Sequence, residues 1–184
     1  MLKLTGIGGN PCTGKTALMR GVIKELGKGV LCKAGILVYQ RHDSAKTIVL
    51  GSYAKKGFGG TDRLSMAVQP IALGIIEAWA SDPSMKDWCV IYEGDRLFNS
   101  SFINTVEKCP IIGSNWVILE ASEEAQSKRH IDRKDTQSAA WLKGRVTKVL
   151  KLKESIKGVK VLNNETNEDL TSNIKYILKM MRSS

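Results

Sequence analysis

The 184 residues predict a single α/β domain, a three-layer sandwich with a mainly parallel sheet between two layers of helices. Two observations carry that expectation. Short apolar runs alternate along the chain with amphipathic segments of helical period, as in successive βαβ units. No repeat, low-complexity stretch or Pro/Ser-rich linker divides residues 1–184 into parts. In such a sheet ligands gather at the carboxyl ends of the strands, so the residues just after each strand are the ones to inspect.

Element by element, Leu2–Ile7 reads as a buried strand ending in glycines, and Thr16–Leu26 as a helix with Leu18, Met19, Val22, Ile23 and Leu26 on one side. Gly35–Gln40 and Thr47–Leu50 read as apolar strands. A long helix is expected from Thr61, carried by Leu64, Val68, Ile71, Ala72, Ile75, Ile76 and Trp79 and kinked at Pro70. Trp88–Glu93 and Trp116–Glu120 read as strands, with a short helix over Ser100–Lys108 between them. Ser122 to about Arg133 is a helix opened by a serine cap with acids in its first turn. Gln137–Ile156 is a basic amphipathic helix, and Val159–Leu162 and Leu170–Met180 supply a last strand and helix.

Composition narrows the function. A hydrophobic fraction of 42% with 25% charged residues fits a folded globular chain and argues against disorder. The formal charge of +10 points to a polyanionic partner, a nucleotide or a nucleic acid. Cys12, Cys32, Cys89 and Cys109 form no CxxC pair, so neither structural zinc nor a disulfide framework is expected, and a reduced cytoplasmic compartment fits. No apolar run approaches the roughly 18 residues of a membrane helix, nor does the start resemble a signal peptide.

The first strand opens into Gly9-Asn10-Pro11-Cys12-Thr13-Gly14-Lys15-Thr16, a complete GxxxxGKT with strand before and helix after. Glycines let backbone N–H groups turn inward around a phosphate, and the following helix aims its N-terminus at the same anion. Lys15 is expected to reach the β- and γ-phosphates, and the Thr16 hydroxyl to hold Mg²⁺. ATP or GTP with Mg²⁺ follows, ATP being the donor assigned.

Other P-loop classes are excluded by missing parts. There is no NKxD guanine reader and no DxxG after the second or third strand, no run of acids closing a strand as in motors, and no LSGGQ-like signature. A small kinase remains. Three places then bear on the acceptor. Tyr92-Glu93-Gly94-Asp95-Arg96 closes a strand, so Glu93 or Asp95 can order Mg²⁺ or take a proton from an acceptor hydroxyl, with Asp95 assigned to the metal beside Thr16. Arg96 can clamp a phosphate in bidentate fashion. Gly57-Phe58-Gly59-Gly60-Thr61-Asp62-Arg63 ends a mobile loop, about residues 51–62, that delivers Asp62 and Arg63 to the acceptor, with Tyr53 and Phe58 able to stack on a base. Arg129 and Arg133, one helical turn apart in a lid of about residues 126–145, can close over the transferring phosphates. His42 and His130 are single and suggest no metal cluster.

These motifs resemble the P-loop nucleoside and nucleotide kinases, the group that holds thymidylate kinase, over Leu2 to about Met180 in element order. The matches are Gly9–Thr16, the strand-end pair Asp95-Arg96, and the lid arginines Arg129 and Arg133. The resemblance implies a five-stranded parallel sheet and γ-phosphoryl transfer from ATP. Glu93-Gly94 before the pair, and the Gly- and Lys-rich Tyr53–Gly60, depart from the group's pattern. GGTDRLS at Gly59–Ser65, EGDRLF at Glu93–Phe98 and WLKGRVTK at Trp141–Lys148 are similar to phage-type P-loop kinases, some of which phosphorylate 5-hydroxymethyluracil already in DNA. A chain of that kind, if phage-encoded, would work in the host cytoplasm.

The acceptor divides on charge, since a mononucleotide needs a few cations in a cleft and DNA needs a surface of them. Lys55, Lys56, Arg63, Lys128, Arg129, Arg133, Lys134, Lys143, Arg145, Lys148, Lys151 and Lys153 cluster mostly in two segments, of which Lys148, Lys151 and Lys153 read as the solvated face of a lysine-rich helix. The first expectation is therefore a kinase acting on a hydroxymethylated pyrimidine in DNA. The second is a soluble deoxynucleoside monophosphate kinase with Arg63 and Arg96 gripping the acceptor phosphate. The third is a nucleotide-switched DNA-binding accessory protein.

Overall fold

The computed structural model describes residues 1–53, 59–133 and 137–182. The strands are β1 (Leu2–Gly8), β2 (Val30–Ala34), β3 (Leu37–His42), β4 (Thr47–Leu50), β5 (Cys89–Glu93), β6 (Ile112–Glu120) and β7 (Lys160–Asn163). The helices are α1 (Lys15–Leu26), α2 (Val68–Ser81), α3 (Ser100–Glu107), α4 (Glu123–Asp132), α5 (Ala139–Ser155) and α6 (Asn167–Arg182). One sheet runs in the order β2-β3-β4-β5-β1-β6-β7.

The sheet has seven strands rather than five. β4, β5, β1, β6 and β7 pair in parallel and form the expected core, while β2 and β3 add an antiparallel edge. The extra strand is invisible to periodicity because Val30 and Leu31 are 56% and 65% exposed, so β2 shows no buried alternation. Gly35, with φ +58, turns the chain between the paired Ala34 and Leu37, which moves the next strand to Leu37–His42 instead of Gly35–Gln40.

Alternation along the central strands builds both helical layers. Leu4, Val90, Tyr92, Trp116 and Ile118 face a core shared with Val68, Ala72, Ile76, Phe102 and Leu152 of α2, α3 and α5. Ile7, Ile91, Val117 and Leu119 face the other, with Leu18, Met19 and Val22 of α1 and Ile177 and Met181 of α6. Where both faces are covered the strands are mainly apolar, as in residues 89–92 of β5 and 116–119 of β6, which is why they are legible as runs. Each such fully buried side chain stabilises the fold by about 1.5–3 kcal/mol.

The helix expected from Thr61 is two elements. Thr61–Arg63 forms a 3₁₀ turn, and α2 begins at Val68. Pro70 therefore lies in the first turn, where its missing N–H has no helical partner to lose, and produces no interior kink. Ser122 caps α4 by accepting from the Ala125 N–H, and Ser138 caps α5 by accepting from the Trp141 N–H. Helix α4 buries none of its residues in either core. It is held instead by polar contacts at the carboxyl edge of the sheet. Among the described residues, no helix is long and apolar enough to cross a membrane.

Candidate active site

The loop between β1 and α1 wraps as the glycine pattern requires. Cys12 and Gly14 take positive φ values of 61° and 96°, and Thr13 Oγ1 donates to the Asn10 carbonyl at 2.9 Å. Lys15 Nζ donates to the carbonyls of Gly9 and Asn10 at 2.7 and 2.8 Å, which holds the ammonium across the mouth of the loop. From the far side, buried Asn164 donates through Nδ2 to the Thr13 carbonyl at 2.8 Å, and its own Oδ1 accepts from Asn173 Nδ2 at 3.4 Å. Sequence reasoning misses Asn164. Its signal is its place directly after the last strand, the same rule that points to Glu93.

The parallel register places Ile7 beside Glu93, so the end of β5 stands next to the start of the loop. Glu93 is only 2% exposed, and its Oε1 accepts from the Thr16 hydroxyl at 2.8 Å. Burial pushes this carboxyl up to about 7, against the opposing pull of the Lys15 ammonium and the Thr16 hydrogen bond; Asp62 and Asp95 add to the rise. Gly94, with φ +114, then reverses the chain. A side chain there would meet Thr61 Oγ1 at 2.7 Å, so glycine is needed for both conformation and space.

That reversal corrects one expectation. Asp95, expected beside Thr16, forms an ion pair with Arg145 of α5, and the carboxylate in contact with Thr16 is that of Glu93. Asp62 is brought in by the 3₁₀ turn, which is anchored where Thr61 Oγ1 donates to the Glu93 carbonyl at 2.9 Å. Its Oδ1 accepts from the Arg96 N–H at 3.2 Å, and burial, then the Asp95 charge, raise its carboxyl against Lys15. The Lys15 ammonium thus acts on both Asp62 and Glu93, while Asp95, close enough for its charge to raise both, is paired with Arg145.

Tyr53 is a second correction. It is 9% exposed and packs in the core beneath α1, so it offers no open ring face to a base. Its hydroxyl is held well above its ordinary value by burial and by the charges of Glu93 and Asp62. Gly59 passes over it, with a Cβ position 2.9 Å from the Tyr53 ring and 3.1 Å from Thr16 Cγ2. Arg63 and Arg96 are both half-buried near Asp62, and Arg96 Nε is buried without a hydrogen-bond partner among the described residues. Phe58, with Lys55 and Lys56, and also Lys134, lie outside the described residues.

The lid arginines share the expected face, and both meet Cys12. Arg129 donates through Nη1 to the Cys12 carbonyl at 3.1 Å and through Nη2 to the carbonyls of Asn164 and Glu165 at 2.9 and 2.8 Å. It straps α4 to the phosphate loop and to the turn after β7. Arg133 Nη1 approaches Cys12 Sγ at 3.7 Å. Arg145 adds a third guanidinium, lying 4.8 Å from the centre of the Trp141 ring while it holds Asp95.

No group of three or more His, Cys, Asp or Glu side chains suited to a metal occurs among the described residues. A hydroxyl and a carboxylate oxygen 2.8 Å apart, Thr16 and Glu93, nevertheless fit a hard cation that takes its remaining ligands from phosphates and water.

No protein-family model matches the chain. No curated protein matches it in sequence. Among solved structures, a gluconokinase from Sinorhizobium meliloti 1021 is similar over 97% of this chain and 95% of that one, with a TM-score of 0.50 and 13% identity. The likeness is one of fold, an α/β architecture with helices on both sides of a mostly parallel sheet.

Proposed function

We propose that this chain is an ATP-dependent phosphotransferase that moves the γ-phosphoryl group to a neutral hydroxyl, the acceptor being the hydroxymethyl group of 5-hydroxymethyluracil in DNA. The carboxyls of half-buried Asp62 and buried Glu93, both within reach of the Lys15 charge, carry the hydroxyl reading. A phosphate acceptor is already an anion and needs no base. A hydroxyl must lose a proton as it attacks, and a carboxylate within reach takes it.

The three acids divide the work by their partners. Glu93 is committed to Thr16, and Asp95 is neutralised by Arg145. Asp62 is left as the general base, in place of Glu93 or Asp95. The acceptor oxygen bonds to the γ-phosphorus, the bond to the β–γ bridging oxygen breaks, ADP leaves, and the acceptor proton passes to Asp62. Lys15 offsets the charge that gathers on the phosphoryl oxygens. Mg²⁺, held at Thr16 with Glu93 behind it, would neutralise the β- and γ-oxygens when bound. A gluconokinase of the same fold supports phosphoryl transfer and favours neither acceptor. The DNA acceptor draws its support from the net charge of +10 and from the motif strings at Gly59–Ser65 and Trp141–Lys148.

Labelled ATP offered with 5-hydroxymethyluracil DNA, unmodified DNA and a panel of free nucleotides tests the reading. Label entering the modified DNA is expected. Label entering only free mononucleotides would support the second reading, which the unpartnered Arg96 Nε favours as a phosphate grip. Hydrolysis without transfer to any acceptor would leave a nucleotide-switched accessory protein.

A further inference from the structure

The chain holds four tryptophans, and three of them are accounted for by packing. Trp88 and Trp116 are 7% and 4% exposed, and Trp79 packs edge-on against Tyr39 at the rim of the core. Trp141 is different. It lies in the first turn of α5 with its N–H on the Ser138 cap, and 38% of it is open to solvent. Leaving an indole open forgoes much of the burial that normally places it, which directs attention to what its exposure serves.

Its surroundings give an answer. The Arg145 guanidinium covers one ring face at 4.8 Å, and the same guanidinium pairs with Asp95 two residues beyond Glu93. One side chain therefore joins the open ring to the carboxylate cluster where the acceptor hydroxyl must arrive. Asp95 and Arg145 are 24% and 27% exposed at the side chain, so the pair is fixed and partly dry rather than a mobile surface contact. Lys143, two residues from the ring, is exposed.

We propose that Trp141 is the stacking platform for the heterocyclic base of the acceptor nucleotide, with Arg145 as the strut that sets the ring at the right distance from Asp62 and Asp95. This rests on the reading of the chain as a kinase for a base-borne hydroxyl, and it transfers to Trp141 the role expected of Tyr53. A base presented for chemistry must leave the duplex stack, and a fixed aromatic surface replaces the stacking it gives up. The guanidinium behind the ring is held by Asp95, so the platform is ordered before the base arrives.

Stacking on one aromatic side chain is worth about 1–3 kcal/mol per base, a factor of roughly 5 to 150 in affinity. The test uses the full chain with ATP and a 5-hydroxymethyluracil oligonucleotide. Trp141→Ala is expected to raise the KM for the oligonucleotide at least tenfold while kcat falls no more than threefold, and Trp141→Phe to restore KM to within threefold. Separately, the oligonucleotide is expected to quench the open indole of the wild type without ATP, and Trp141→Phe to remove that quench even if the alanine variant fails to fold. An unchanged KM in Trp141→Ala, or a quench that survives in Trp141→Phe, would overturn the assignment while leaving the kinase reading standing. If the wild type phosphorylates only free nucleotides, yet Trp141→Ala raises their KM in the same way, the platform stands and the DNA acceptor falls. A wild type that neither phosphorylates nor is quenched by any nucleotide-type acceptor overturns both.

Discussion

Replacing Glu93 by Gln removes a charge from the driest acid of the site without removing its volume or its ability to accept from Thr16. In the metal-free protein the carboxyl is raised from 4.5 to about 7. The folded state therefore holds the proton more tightly than the unfolded chain does. The stability associated with the neutral form is fully present below pH 4.5, declines as the pH rises, and is gone above about 7. At 1.36 kcal/mol per pKa unit the loss amounts to about 3 kcal/mol, which the glutamine variant does not suffer. Glu93→Gln should therefore melt close to the wild type at pH 4.5 and higher by very roughly 6–12 °C at pH 8. Thermal melts followed by circular dichroism between pH 4.5 and 8, in chelator, read this directly. Adding Mg²⁺ and ATP should reverse the order, since only the wild type has a carboxylate behind Thr16 for the cation. A difference between the two proteins that does not vary with pH would refute the argument, because it would mean Glu93 titrates alike in the folded and unfolded chains.

Lys15→Ala should abolish label transfer to every acceptor with a melting temperature within a few degrees of the wild type; retained transfer would place the donor phosphates elsewhere. Asp62→Asn should lower kcat about 10²–10⁴-fold, and a loss under threefold, measured by single-turnover transfer, would move the base to another group. Changing Lys143, Lys148 and Lys151 together to Gln should flatten the log–log salt dependence of oligonucleotide binding by about 2–3, at roughly 0.7–0.9 for each phosphate no longer neutralised. An unchanged slope in fluorescence anisotropy would show that α5 does not track the backbone.

The sequence makes the phosphate loop legible because its chemistry is local. Gly9 to Thr16 carry their own turn residues, lysine and hydroxyl, and need only a strand before and a helix after. It makes the central strands legible because burial on both faces leaves only apolar residues through positions 89–92 and 116–119, and keeps Leu2, Leu4 and Ile7 in β1. It does not reveal β2, whose residues are largely exposed, or separate the 3₁₀ turn at Thr61 from α2, because Thr-Asp reads equally as a cap and as an anchor. Tyr53 is misread for a related reason. An aromatic beside a glycine loop reads as available for stacking, and only the packing beneath α1 shows that it is enclosed.

The division among the acids is beyond sequence reasoning for a more specific cause. Glu93, Asp95 and Asp62 are equivalent carboxylates until their partners are known, and each partner is distant in the chain: Thr16 for Glu93, Arg145 for Asp95, and the Arg96 N–H for Asp62. The hinge of the arrangement is Gly94. Its positive φ sends the two acids on either side of it toward opposite partners, one to the phosphate loop and one to the lid-side helix. The same turn leaves the space that Thr61 and Asp62 fill. A local EGD string thus becomes a metal-side acid, a charge-paired acid and room for a third, raised acid between them. The +10 of the whole chain conceals this, because two acids, half-buried Asp62 and buried Glu93, lie within reach of the Lys15 charge while Asp95 is paired with Arg145. On the proposed reading, the raised acid Asp62 suits an acceptor that arrives neutral and must lose a proton, and the exposed Lys143 and its neighbours on α5 suit one whose charge lies along a backbone rather than at the reacting group.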